Sequence, residues 1–170
     1  MLLLCFACEK GQKSSVGRVI PPEGNLEGFS DIKWGDNVSV ALSILKGKGF
    51  SIQLSDNEAI LAEGKFAGSD GSLFLWFNND GFYNASVQFM SKKYKFEYIE
   101  FIEMLKEKYG EPDFVSDNIN DKDIIFTEWK FKNNCSITAV YNINVSLNYT
   151  NDKIWEEEQI KKKQKKINDL

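Results

Sequence analysis

Apolar residues recur at helical spacing in two places, and each place is followed by stretches in which apolar and polar residues alternate. Val38, Ala41, Leu42 and Leu45 fall on one stripe and predict an amphipathic helix. Phe96, Ile99, Ile102 and Leu105 predict a second, with Tyr98 and Phe101 widening its apolar side. After the first, Phe50, Ile52 and Leu54 alternate with polar residues, as in a half-buried strand. Ser55-Asp56-Asn57 reads as a turn, residues 60–66 as a strand and residues 68–71 as another turn. Residues 73–77 are apolar at every position. If Leu73, Leu75 and Phe77 point into a core, Phe74 and Trp76 face the other way. Asn79-Asp80-Gly81 is a hairpin signal. Beyond it Tyr83, Ala85, Val87 and Phe89 alternate with Asn84, Ser86 and Gln88, which predicts a meander that is polar on its outer face.

The second half follows the same scheme. Residues 124–131 predict a strand, and Asn133-Asn134 can supply the two left-handed residues of a tight hairpin. Cys135, Ile137, Ala139 and Tyr141 share one phase, and Ile143, Val145, Leu147 and Tyr149 continue it across Asn142. A two-residue hairpin would reverse that parity, so either one long strand or a longer turn lies there. The expected fold class is α+β. Two tandem helix-plus-antiparallel-meander units, residues 29–91 and 92–150, share one sheet and core in a single domain. Residues 151–170 add a charged C-terminal helix. Its acids come early and its lysines late, which matches the helix dipole, and Ile154, Trp155 and Ile160 are expected to dock its first turns.

Phe29, Ile32 and Trp34 anchor an opening strand, Gly35 permits a turn, and Asp36 is the expected N-cap of the first helix. Gly47 and Gly49 end that helix. Gly110 ends the second, and Pro112 prevents its continuation. Asp36 is also the acid that first invites a catalytic reading, but capping accounts for it and no partner group stands nearby in the sequence.

Ahead of the body, Met1 to Ala7 is a short apolar run followed by Cys8. With the small Ala7 before it, Cys8 resembles the modified cysteine of a bacterial lipoprotein signal peptide, which makes residues 1–8 a leader and Cys8 the lipidation site. Cys5 fits that position less well because Leu4 precedes it. The run lacks a basic n-region and is short for a signal core, so translation is expected to start further upstream. Residues 9–28 are rich in Gly, Ser, Pro and charge and read as a linker, stiffened by Pro21-Pro22. No later stretch is apolar enough to span a bilayer as a helix.

Composition narrows the chemistry. The 42% apolar and 14% aromatic content can build a sizeable core. A net charge of −4 gives no nucleic-acid footprint. There is no histidine, which removes the usual general base near neutral pH, the histidine-activated nucleophiles and histidine metal ligation. Arg18 is the only arginine, so the folded body has no guanidinium fork for phosphate or carboxylate. Cys5 and Cys8 have C-x-x-C spacing, but they lie in the leader, and only Cys135 remains to join them in a zinc site. Cys135 falls in the apolar phase and reads as a small core residue. The lysine run of residues 161–166 reads as a solvated helix end. No catalytic, cofactor-binding or metal-binding residue is expected.

Trp34-Gly35-Asp36, Gly49-Phe50, Tyr109-Gly110-Glu111-Pro112 and Trp129-Lys130-Phe131 together resemble a set of uncharacterised bacterial lipoproteins with tandem α-β units, over residues 29–150. More loosely the chain is similar to the β-lactamase-inhibitor-protein fold and to small lipoproteins of the outer-membrane assembly machinery. That likeness implies work by protein binding, without catalysis and without a cofactor. The expected function is a lipid-anchored, non-enzymatic protein-binding module of the cell envelope, periplasmic or surface-exposed. Its membrane contact is the anchor alone, and Phe74 and Trp76 are the partner-binding candidates. The alternatives are a small-ligand or lipid carrier with a pocket between sheet and helices, and a carboxylate-based hydrolase, which needs two acids roughly 5–10 Å apart in a cleft.

Overall fold

The computed structural model describes residues 24–89, 94–116, 125–142 and 144–168. Cys5, Cys8, the leader, most of the linker, the Phe96 side chain and Ile143 lie outside the described residues.

The alternating stretches form one antiparallel sheet of eight strands. β1 (Gly28–Phe29) and β2 (Ile32–Lys33) make a separate two-stranded ribbon, so the opening strand does not join the main sheet. Helix α1 (Val38–Gly47) follows, then β3 (Ser51–Ser55), β4 (Ala59–Phe66), β5 (Ser69–Asn78) and β6 (Gly81–Phe89). Helix α2 (Tyr94–Tyr109) leads to β7 (Phe114–Ser116), β8 (Ile125–Phe131), β9 (Cys135–Tyr141) and β10 (Val145–Asn151), and α3 (Asp152–Asn168) comes last. The strand order is β3-β4-β5-β6-β10-β9-β8-β7, with both edges formed by the first strand after a helix. The α+β class is therefore observed, in a molecule dominated by its sheet.

One face of the sheet carries the core. Leu73 and Leu75 of β5, Ala85 and Val87 of β6, Leu147 of β10 and Ile137 and Ala139 of β9 are all buried there. α1 covers it with Ala41 and Leu45 and α2 with Tyr98, Phe101 and Leu105. Phe101 stacks on Phe89 at 4.1 Å, and Tyr98 shares a 2.7 Å hydrogen bond with Thr127. Ile99, expected on the α2 stripe, is half exposed. The buried positions 98, 101 and 105 define a face from which residue 99 is rotated by one step of the helix. Fully buried Trp129 donates its indole N–H to the Gly110 carbonyl at 2.8 Å and so ties the end of α2 to β8.

Several junctions differ from the sequence reading. Asn37, not Asp36, caps α1: its Oδ1 accepts from Val40 N at 3.0 Å. Asp36 instead accepts from Lys33 N at 2.8 Å and closes the preceding turn. Neighbouring Asx residues serve either role, and the backbone direction decides between them. The β4–β5 turn is Ala67-Gly68, both at positive φ, while Ser69, Asp70 and Gly71 belong to β5. Gly71 faces Gly64 across the pair, and the rings of Phe50 and Phe66 lie over the hollow the two glycines leave. Only Asn134 of Asn133-Asn134 is left-handed, because Phe131 pairs with Cys135 and the loop has three residues. Tyr141 pairs with Val145, so the β9–β10 turn also has three residues and the apolar phase survives it. Ile160 is 68% exposed and does not dock.

Candidate functional site

Strand pairing fixes what the other face presents. One row runs across seven strands in register: Leu61, Phe74, Ser86, Asn148, Thr138, Glu128 and Phe114. The next row reads Ala59, Trp76, Asn84, Thr150, Ser136 and Lys130. The centre of this outer face is thus a band of hydroxyls and amides, with Asn84 donating to Thr150 Oγ1 at 2.9 Å. Aromatic pairs flank it. Phe74 and Trp76 stack at 6.0 Å on one side, and Phe114 meets Phe126 edge-on at 5.9 Å on the other.

Phe74 and Trp76 therefore sit on the outer face, back to back with the buried Leu73, Leu75 and Phe77. Each is half-buried, supported by the other and by its cross-strand neighbours. Phe114, at 49% exposure, is the larger open surface of the opposite pair. Sequence reasoning missed that pair because three-residue β7 is too short to show a period. Phe126 was legible, since it takes the phase opposite to Thr127 and Trp129 within β8.

α3 crosses one end of this face. At its start Asp152 accepts from Ser136 Oγ at 2.6 Å, then Trp155 tilts against Tyr83, and Glu158 accepts from Asn78 Nδ2 at 3.2 Å. Tyr83 reaches the helix because β6 carries an extra residue there: Trp76 pairs with Asn84 and Phe77 with Phe82. Burial pushes the Tyr83 phenol up, helped by Glu158 and Glu58. Glu158 is held below the usual carboxylate range by its hydrogen bond to Lys161, 2.8 Å away.

Three of the hollows among the described residues bear on function, two beside α3 and one on the core side. A cleft of about 480 Å³ lies between α3 and the β3–β4 and β5–β6 turns, with Trp76 and Tyr83 in its wall and Lys161, Lys162 and Lys165 along α3. A second, about 560 Å³, is lined by Glu128, Lys130, Asp152, Trp155 and Glu156. Burial raises the Asp152 carboxyl in it, against the lowering effect of the Ser136 hydroxyl. The third is apolar and lies on the core side between α2 and the ribbon, lined by Phe29, Phe66, Phe101, Met104 and Tyr149 among others. At about 230 Å³ it is smaller than the ~300–1,000 Å³ of small-molecule sites. No group of acids and cysteines among the described residues is arranged to hold a metal ion. No described helix is long and apolar enough to cross a membrane. No family model, curated protein or solved structure matches the chain.

Proposed function

We propose that the chain is a non-enzymatic protein-binding module whose binding surface is the outer face of the sheet. One observation carries this reading: a polar band of Ser, Thr and Asn is framed by the Phe74–Trp76 and Phe114–Phe126 pairs, and among the described residues only α3 crosses it. Aromatic anchors around a hydrogen-bonding centre suit recognition of another protein, because the rings supply desolvated area at little side-chain entropy and the hydroxyls and amides adapt to the partner's polar groups. The two-unit reading supports the same proposal. A helix followed by four antiparallel strands occurs twice in the element order, and the sheet joins the halves at β6 and β10. That arrangement is what the likeness to protein-binding lipoproteins implies. A permuted chain with α2–β10 placed first should then fold to the same sheet, and a molten product would remove the two-unit reading.

The anchor is part of the proposal: Cys8 carries lipid and holds the body at an envelope membrane. Globomycin-sensitive processing with partition into detergent is expected, and a fully aqueous mature protein would sink it. The partner is tested by crosslinking in the native envelope. A joint Phe74→Ser and Trp76→Ser variant should lose a specific adduct that wild type forms while keeping its thermal transition. Unchanged crosslinking would remove the outer face as the site. The apolar hollow between α2 and the ribbon favours the carrier as second reading, limited by its volume to a short chain.

A further inference from the structure

We infer that the cleft under α3 receives an acidic peptide segment bearing an aromatic or large apolar side chain, contributed by the protein partner. This rests on the protein-binding reading and names the chemistry of what is bound. Trp76 and Tyr83 give the cleft an aromatic wall. Glu158 is already matched, because Asn78 donates to its Oε1 and Lys161 pairs with the same oxygen. Lys162 and Lys165 line the same cleft with no carboxylate in ion-pair distance among the described residues. Glu58 is the one other acid in the lining. From position 161 to 166 the helix carries five lysines, one glutamine and no acid, in a chain whose net charge is −4.

That pairing of surfaces selects its ligand. A neutral apolar group on Trp76 would desolvate Lys162 and Lys165 with no carboxylate in ion-pair distance, Glu158 acting on Lys162 only from further off. A bare anion would leave the indole uncovered. A carboxylate and a ring on one segment satisfy both. The Trp76 ring also stacks on Phe74, so a chain leaving the cleft continues directly onto the polar band. This continuity favours a peptide over a free anion or a lipid headgroup.

The probe is a fluorescein-labelled hexapeptide of glutamates around one tyrosine, titrated against the full chain by anisotropy. The peptide should bind at 0.1 M salt and be released toward 1 M, as the screening length falls from ~10 Å to ~3 Å. A joint Lys162→Glu and Lys165→Glu variant should bind roughly fourfold or more weakly, about twofold per exposed pair lost. Equal binding by that variant, equal binding of a lysine hexapeptide, or binding of phosphatidylglycerol vesicles without the peptide would each overturn the inference. Envelope crosslinking separates the two proposals. If the lysine variant keeps the adduct that the Phe74→Ser and Trp76→Ser variant loses, the inference falls and the binding surface stands. If neither variant loses it, both fall.

Discussion

Replacing Gly81 by alanine tests whether the Trp-Gly-Asp corner is a packed structural junction. Gly81 has φ +99°, and an added Cβ would fall inside 3.0 Å of three Gly35 backbone atoms, among them Cα at 2.8 Å. Backbone cannot swing aside as a side-chain tip can, so the corner must move off the β5–β6 hairpin. Two hydrogen bonds hold it there: Gly35 N to Phe82 O at 3.0 Å and Phe82 N to Asp36 O at 2.8 Å. Trp34 also stacks on Phe82 at 4.9 Å. The positive φ costs an alanine about 1–2 kcal/mol. Losing both hydrogen bonds adds about 1–3 kcal/mol, for a sum near 2–5 kcal/mol. Gly49→Ala is the control: its φ is +82° and nothing lies within 4 Å of its added Cβ, so only the backbone cost applies. Equilibrium urea unfolding followed by tryptophan fluorescence reads both variants. A Gly81→Ala cost within ~1 kcal/mol of the Gly49→Ala cost would refute the packed corner and reopen a chemical role for Asp36.

Trp129→Phe should destabilise by about 2–3 kcal/mol, from the lost hydrogen bond to Gly110 and the space left beside it, measured by the same unfolding curves. Peptide mapping after alkylation at pH 8 should find Cys135 unmodified until urea unfolds the chain, since it is buried and burial pushes its thiol up to about 11. The unfolded chain gives up that proton from about 9 upward while the native chain holds it to about 11, so stability should fall as pH rises through that window. Raised phenols at Tyr83 and Tyr149 act in the same direction. Phe74→Ser with Trp76→Ser should cost the fold little beside Leu75→Ala, at about 2–5 kcal/mol, because the first two are half-buried and Leu75 is wholly enclosed.

What was legible followed from period and parity. A sheet with one enclosed face forces every second residue inward, so Leu73, Leu75 and Phe77 had to share one direction and Phe74 and Trp76 the other, while the all-apolar run left open which set is enclosed. The parity conserved across Asn142 likewise required a turn of odd length if the strand broke. Features without a period stayed hidden. β7 is three residues long, and Ser69-Asp70-Gly71 has turn composition but lies in a strand because Phe66 pairs with Ser69. The lysine cleft was beyond reach for another reason. Lys161, Lys162 and Lys165 share a cleft with Trp76 only because α3 turns back across the sheet, and that direction is set by Ser136, Tyr83 and Asn78, far away in sequence.

The proposed binding surface is tested most directly by a photoactivatable phenylalanine derivative placed at position 74 and, separately, at position 43 on the exposed side of α1, each irradiated in cells that make the chain natively. Position 74 is expected to give a discrete protein adduct that position 43 does not. Adducts from position 43 alone, or from neither position, would contradict a partner on the outer face of the sheet.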